Sequence, residues 1–294
     1  MPMSDAATTP TALAQPASER ITIGGLQHHY LDWGNPAAPP LVCVHGYTSS
    51  ADAFNGFARH FRDRFHIVTL DVRGHGESAW SPDGAYTYRD QAGDLAAFVD
   101  RLGLGQFILL GTSMGGIIAM TYAIEHGQRL RALVLNDIGP EVEQGSQRIT
   151  QMVGSRPDAF GTLDDAMAYR REVSPIVAGR DAAAQRELAL GVLRQRPDGK
   201  WGWKMDPAYI SQRGASVRPD LWPALARLAC PTLAVWGTDS DVLSEAQARR
   251  MVETLPKGEL LAIPGVGHAP SLVEPASLGG VERFLHGVLA PAGG

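Results

Sequence analysis

One stretch of the sequence combines a nucleophilic side chain with a backbone that would expose it. Ser113 lies between Gly111 and Gly115 in Gly-Thr-Ser-Met-Gly, which is the one Gly-x-Ser-x-Gly pattern of the chain. The apolar run 107–110 before it is typical of a buried strand, and the apolar run 116–123 after it is typical of a helix. A strand that turns this sharply into a helix presents its central hydroxyl group at the helix N-terminus. We therefore interpret Ser113 as a candidate nucleophile.

A serine hydroxyl becomes a good nucleophile only when a base takes its proton and an acid orients that base. His268 lies in a loop rich in glycine and proline after the last predicted strand. Asp239 and Asp241 follow the strand before that one, and Asp137 follows an earlier strand. Ligands of an open α/β sheet bind outside the carboxyl ends of its strands. All four side chains are therefore expected where a substrate would bind.

The predicted elements alternate between strands and helices on both sides of a segment with a different pattern. The alternation runs through 21–140 and again through 218–294, and it predicts a mostly parallel sheet flanked by helices, an α/β fold. Residues 141–217 carry charged, Ala-rich helical patterns without strand-like runs. We expect this segment, called the insert below, to form a helical cap inserted into the core. Residues 1–20, rich in Ala, Thr, Pro and Ser, are typical of a disordered tail.

Composition excludes several classes of protein. The chain has 294 residues, 44% of them hydrophobic, and a net charge of −5, which argues against a nucleic-acid-binding protein. Its two cysteines, Cys43 and Cys230, cannot build a disulfide framework or a Cys-rich metal site. No run is long enough to span a membrane, the first residues lack the features of a signal peptide, and a cytoplasmic location is expected. Neither a metal-ligand cluster nor a dinucleotide fingerprint occurs, so we expect no metal and no cofactor.

Four motifs together resemble the α/β-hydrolase superfamily. They are the Gly-x-Ser-x-Gly of 111–115, the His-Gly of 45–46, the string Asp-Val-Arg-Gly-His-Gly-Glu-Ser of 71–78, and the late Asp and His. The resemblance covers about residues 21–290, and the chain order Ser, Asp, His matches that of the fold. It implies a hydrolase that needs no cofactor. We interpret the charges of 73–78 as a structural brace.

The resemblance also implies roles for individual residues. Ser113 is then the nucleophile, and His268 is the general base and acid. The family most often places its acid a few residues beyond the glycine that follows the penultimate strand, which favours Asp241. Asp239 and Asp137 stay open as alternatives.

The same resemblance places two backbone N–H groups around the developing oxyanion. One belongs to Met114, after the nucleophile, and the other belongs to Tyr47, after the His-Gly pair. Trp201, Trp203 and Met152 of the insert are candidates to line an apolar substrate pocket.

These residues predict a serine hydrolase that cleaves small-molecule carboxylic esters with a small to medium, fairly apolar acyl group. A serine at this position argues against the haloalkane dehalogenase and epoxide hydrolase branches, which resemble this fold but use an aspartate there. Two alternatives stay open: a C–C bond or lactone hydrolase with the same three residues, and a ligand receptor with little turnover. The chain is expected to act as a monomer or homodimer, without a nucleic-acid or membrane partner.

Overall fold

The computed structural model describes residues 14–141, 145–212 and 219–290. The strands in these ranges are β1 (Ala17–Ile23), β2 (Leu26–Asp32), β3 (Pro40–Val44), β4 (His66–Leu70), β5 (Phe107–Thr112), β6 (Leu130–Asn136), β7 (Ala159–Phe160), β8 (Leu193–Gln195), β9 (Trp201–Trp203), β10 (Thr232–Gly237) and β11 (Gly258–Ile263). The helices are α1 (Asn55–Phe61), α2 (Tyr88–Arg101), α3 (Met114–His126), α4 (Gly145–Gly154), α5 (Leu163–Val173), α6 (Pro175–Ala178), α7 (Ala182–Val192), α8 (Pro207–Gln212), α9 (Trp222–Arg227), α10 (Glu245–Thr254) and α11 (Pro275–Leu289).

The main sheet has the strand order β1-β2-β4-β3-β5-β6-β10-β11. The pairs β1–β2 and β2–β4 are antiparallel, and the remaining pairs are parallel. Central strands are apolar throughout because both of their faces are covered. In β5, Phe107 and Leu109 enter one hydrophobic core, whereas Ile108 and Leu110 enter the other. The predicted α/β fold with a mostly parallel sheet and flanking helices is confirmed.

The predicted boundary of the N-terminal tail at residue 20 is wrong. Ala17–Arg20 belong to β1 and pair with His29–Asp32 of β2. The side chains of Ala17–Arg20 are exposed, because β1 is an edge strand that contributes backbone pairing more than burial. The segment therefore lacks the apolar alternation by which a strand is recognised. Residues 1–13 of the predicted tail lie outside the described residues.

The insert is mainly helical, as expected, but it also contains strands that were not predicted. The strands β7, β9 and β8 form a small antiparallel sheet in that order. Each has only two or three residues, which is too short to produce a recognisable alternation. Helices α4 to α8 make up most of the rest of the described insert.

The turn from β5 into α3 depends on close contact between backbone segments. Ser113 adopts φ +53°, a conformation that side chains rarely take. A Cβ on Gly111 would overlap the carbonyl oxygen of Gly115, and a Cβ on Gly115 would overlap that of Val44 in β3. The two glycines thus allow α3 to start directly against the sheet.

The loop of residues 71–78 braces the neighbouring strands around one buried carboxylate. Asp71 accepts hydrogen bonds from His29 Nδ1 at 2.7 Å, from the Ala51 N–H at 2.7 Å and from the Glu77 N–H at 2.9 Å. Burial by itself would raise the pKa of Asp71, but the hydrogen bond from His29 and the charge of nearby imidazoles outweigh burial and lower the pKa. These contacts tie β2 and the backbone at Ala51 and Glu77 to one buried carboxylate.

His75 of the same loop supports the segment that follows β3. Its ring is buried, and Nε2 donates to the carbonyl oxygen of Tyr47 at 2.8 Å. Burial, followed by the charge that a nearby His45 would carry, lowers the pKa of His75 to about 3. The ring therefore stays neutral in the folded protein down to acidic pH.

Gly115→Ala should destabilise the fold by about 3 kcal/mol or more, because the new methyl group meets backbone that cannot move aside. The matched control is Gly93→Ala in α2, where a Cβ meets nothing within 4 Å; it should stabilise the protein by about 0.5–1 kcal/mol. Chemical denaturation of both variants measures the two changes. An unchanged free energy of unfolding for Gly115→Ala would contradict the packing described for the turn.

His75 should also make the free energy of unfolding depend on pH. Below pH ~6.5 His75 is protonated in the unfolded chain, whereas in the folded chain it stays neutral down to about pH 3. The stability contributed by this group is complete above pH ~6.5 and decreases by about 1.4 kcal/mol for each pH unit below it. In His75→Gln, the slope of unfolding free energy against pH near pH 5 should fall by about 1.4 kcal/mol per pH unit, which corresponds to the uptake of one proton on unfolding. His60→Gln, which changes an exposed histidine, serves as control; equal slopes in both variants would refute the assignment.

Candidate active site

The structure brings Ser113 and His268 together as the sequence predicted. Ser113 lies at the turn between β5 and α3, and His268 lies in the loop between β11 and α11. The Ser113 Oγ is 2.8 Å from His268 Nε2, and the His268 side chain is only 8% exposed. The Ser113 N–H donates to the carbonyl oxygen of Asn136 at 3.0 Å, which ties the turn to the end of β6.

The acid beside His268 is Asp137, directly after β6. Asp137 is fully buried, and its Oδ2 lies 2.8 Å from His268 Nδ1. Ser240 Oγ donates to the same oxygen at 2.6 Å, and the Gly237 N–H donates to Oδ1 at 2.9 Å. Because a carboxylate only accepts hydrogen bonds, Nδ1 of His268 carries a proton, and Nε2 is left to accept the proton of Ser113.

The prediction that Asp241 orients His268 is wrong. Asp241 is exposed, and its carboxylate is held by Arg148 of the insert, with Arg148 Nη2 at 2.9 Å from Oδ1. The hydrogen bond from Arg148 lowers the pKa of Asp241. The alternative Asp239 is exposed and accepts a hydrogen bond from Thr238 Oγ1 at 3.2 Å. β6 is the direct neighbour of β5 in the sheet, so Asp137 emerges beside Ser113.

Two polar residues of the site were not predicted. Asn136 Nδ2 donates to the carbonyl oxygen of Pro270 at 2.9 Å and to Thr112 Oγ1 at 3.1 Å. Asn136 thereby joins the loop of His268 to the end of β5. Ser240, the second missed residue, fixes Asp137 and also accepts hydrogen bonds from two backbone N–H groups of its own loop. An amide and a hydroxyl after a strand carry no sequence signal that distinguishes such bracing from ordinary turn formation.

Tyr47 and Met114, the residues expected to supply backbone N–H groups, both flank Ser113. Met114 is the first residue of α3, and the first N–H groups of a helix have no partner within it. Tyr47 follows Gly46, on which a Cβ would lie 3.4 Å from the Cβ of Ser113. The Met114 side chain is buried and its sulfur accepts a hydrogen bond from Tyr209 Oη at 3.0 Å. The backbone of Met114 thus directly follows Ser113, and the backbone of Tyr47 follows a glycine that lies against the Ser113 side chain.

A cavity of about 700 Å³ lies between the insert and the carboxyl ends of the strands, with Ser113 and His268 in its wall. Met152 and Trp203 line this cavity, as predicted. Trp201 does not line it, which corrects that prediction: it lies two residues away along β9 and packs against the hydrophobic cluster of the insert. Much of the wall is apolar, including Ile149, Met152, Val153, Ile176, Val177 and Leu188.

Two features are absent from the described residues. No group of three or more His, Cys, Asp or Glu side chains within 14–141, 145–212 and 219–290 is arranged to hold a metal ion. In the same ranges, no helix combines the length and the apolar character required to cross a membrane.

Comparison with known proteins identifies relatives along nearly the whole chain. The family model of the alpha/beta hydrolase fold matches residues 39–275. The 3-hydroxybutyrate-oligomer hydrolase of Cupriavidus necator is 31% identical over 271 residues, which cover 88% of this chain and 92% of the relative. The 2-(acetamidomethylene)succinate hydrolase of Mesorhizobium japonicum is 27% identical and covers 91% of this chain and 95% of its own.

A solved structure shows the same fold. An alpha/beta hydrolase from Novosphingobium aromaticivorans superposes with a TM-score of 0.82 at 31% identity, over 94% of this chain and 99% of its own. The fold, the family model and the level of identity agree, and the chain therefore belongs to the alpha/beta hydrolase family.

Proposed function

We propose that this hydrolase cleaves carboxylic esters with Ser113 as the nucleophile, through an acyl-enzyme intermediate and without a cofactor. The observation that carries the proposal is the continuous hydrogen-bonded series from Ser113 Oγ through His268 to the buried carboxylate of Asp137, with both hydrogen bonds at 2.8 Å. This arrangement provides a nucleophile, a base and a group that fixes the base.

The reaction would begin when Ser113 Oγ attacks the ester carbonyl carbon and its proton passes to His268 Nε2. Asp137 holds the imidazole ring and stabilises the positive charge that forms on it. The oxyanion of the tetrahedral intermediate would accept hydrogen bonds from the backbone N–H groups of Met114 and Tyr47. His268 then returns the proton to the departing alkoxide, which leaves as the alcohol. A water molecule, activated in the same way by His268, hydrolyses the acyl-enzyme and restores Ser113.

The cavity and the relatives support an ester substrate of small to medium size. A volume of about 700 Å³ falls within the range of typical small-molecule sites, and its apolar wall suits the hydrocarbon part of an acyl group. The Cupriavidus relative is named for oligomers of 3-hydroxybutyrate, units that an ester bond can join. We propose a small-molecule ester as the substrate, a monomer or homodimer as the working state, and the cytoplasm as the location, consistent with the two buried free cysteines.

Ser113→Ala should lower kcat on esters by about 10⁴-fold or more, because only binding and the oxyanion donors remain. We would measure the turnover of p-nitrophenyl esters of increasing acyl length for wild type and variant. Serine-dependent turnover with a preferred chain length is expected. Near-normal activity of Ser113→Ala would exclude Ser113 as the nucleophile. Serine-dependent cleavage of lactones or C–C bonds in place of esters would keep the three residues but overturn the ester assignment.

Asp137→Asn should lower kcat by about 10³–10⁴-fold, because an amide beside Nδ1 no longer selects the tautomer that can accept the serine proton. Asp241→Asn removes the same charge from the acid originally predicted and should lower kcat less than ten-fold, because that carboxylate pairs with Arg148. Steady-state kinetics of both variants, with thermal unfolding as a check on folding, make the comparison. A larger loss in Asp241→Asn than in Asp137→Asn would contradict the proposed roles.

A further inference from the structure

Besides Arg148, the insert brings three further arginines to the cavity that contains Ser113. Arg156 follows α4, Arg170 lies in α5, and Arg180 follows α6. All three line the cavity, and all three are half-buried. The chain as a whole carries a net charge of −5, so this concentration of positive charge is a local feature of the cavity wall.

These arginines have no carboxylate partner within the described residues. No Asp or Glu oxygen in those parts of the chain lies within 4.0 Å of their guanidinium groups. The Nε atoms of Arg170 and Arg180 are completely buried and find no hydrogen-bond partner there. Arg156 lies over the ring of Trp203, with its guanidinium carbon 4.4 Å from the ring centroid.

Several other arginines near or outside the cavity do have a carboxylate partner, as Arg73 has in Asp94. Arg148 of the same cavity is held by Asp241, and Arg59 pairs with Glu187 at 2.6 Å. The acid that acts most strongly on Arg180 is Glu274, which lies beyond ion-pair distance. The carboxylate of Glu274 is occupied by hydrogen bonds from the N–H and hydroxyl of Ser271 and from the hydroxyl of Ser277.

Unpaired burial of a cation is unfavourable, and it lowers the pKa of a guanidinium group. Burial lowers the pKa of Arg170 to about 10, and burial also lowers the pKa values of Arg156 and Arg180. All three therefore remain charged at neutral pH while they lack part of their hydration. Buried charges in proteins are normally paired, and an unsatisfied one calls for an explanation such as a bound ion. An anion in the cavity would restore the missing interactions.

The surroundings of the arginines show what kind of molecule would carry this anion. Val173 lies three residues after Arg170, on the same side of α5, and Ile176 and Val177 lie just before Arg180. These three apolar side chains also line the cavity. A ligand that contacts both Ser113 and the arginines would thus occupy a cavity whose wall also offers hydrocarbon next to the positive charges.

We propose that the acyl group of the substrate ends in a carboxylate, which Arg170 and Arg180 bind beneath the insert. The guanidinium fork matches a carboxylate with two parallel hydrogen bonds, and Arg156 adds positive charge to the same wall. This inference rests on the proposed ester hydrolysis and changes one expectation: the acyl chain is apolar along its length but charged at its far end.

A pair of esters with the same acyl length tests the charge directly. We would compare mono-4-nitrophenyl adipate, which has a free carboxylate, with methyl 4-nitrophenyl adipate, in which that group is neutral. After correction for spontaneous hydrolysis, kcat/KM of wild type should favour the free acid by at least about ten-fold. In the double variant Arg170→Gln/Arg180→Gln this ratio should fall towards one, mainly through KM.

The control for this experiment is Arg186→Gln, which makes the same change on an exposed residue of α7 in the insert. Its ratio should equal that of wild type. Because Arg170 and Arg180 form no ion pair in the described residues, their removal should not lower the unfolding temperature. The inference would be overturned if wild type did not prefer the free acid, or if the double variant kept that preference. In either case, serine-dependent turnover of the methyl ester would still support ester hydrolysis.

A binding measurement separates failure of the inference from failure of the proposed function. Adipate should bind to Ser113→Ala in calorimetry, and at least ten-fold more weakly to the same protein with Arg170→Gln/Arg180→Gln. This result would support the carboxylate site even if neither ester were hydrolysed. Failure to hydrolyse both esters would count against the proposed ester hydrolysis, and not against the carboxylate site. Equal binding to both proteins, or no binding, would overturn the site. Tighter binding of inorganic phosphate than of adipate would overturn its assignment to a carboxylate.

Discussion

The buried carboxylate of Asp137 is the interaction that holds the site together. It receives hydrogen bonds from His268 in the loop after β11 and from Gly237 and Ser240 at the end of β10, while its own backbone continues β6. Three strand ends therefore meet at one charged group that has no contact with solvent. Because such a charge is stable only when its oxygens are saturated, the positions of the surrounding loops are set by it. The orientation of the His268 ring follows from the same constraint.

The turn that carries Ser113 is positioned by close backbone packing as well as by hydrogen bonds. A Cβ at Gly111 would overlap the backbone of α3, and a Cβ at Gly115 would overlap that of β3, so the turn packs directly against both elements. On the opposite side, His75 holds the carbonyl of Tyr47 and so fixes the segment after β3. The hydrogen bonds of Asp71 tie the loop 71–78, to which His75 belongs, to His29 of β2. The groups that would react are thus fixed by packing several residues away from them.

Much of the fold could be predicted because it depends on local pattern. Strands buried on both faces produce uninterrupted apolar runs, as in β5. The glycines around Ser113 indicate that two backbone segments approach each other closely. The start of β1 at Ala17 could not be predicted, because an edge strand with exposed side chains has no such run. The small sheet of the insert was missed because its strands have two or three residues.

The site was only partly predictable, because the sequence does not show in which direction the side chains after each strand point. Asp137, Asp239 and Asp241 each follow a strand, and nothing in their local sequence shows which carboxylate points to His268. The neighbour relation of β5 and β6, together with the ion pair that Arg148 makes with Asp241, settles the choice. Likewise, the sequence does not show whether Arg170 and Arg180 find acidic partners, because pairing is a property of the folded insert.

The division between core and insert has a consequence for how this protein can change during evolution. Ser113, Asp137 and His268 come from the core, whereas the cavity arginines come from a segment that leaves the core after β6 and returns before β10. Mutations in α5 or α6 can alter which molecules fit without disturbing the packing on which the reactive groups depend. Reaction type and substrate preference can therefore diverge at different rates among descendants of one ancestral gene.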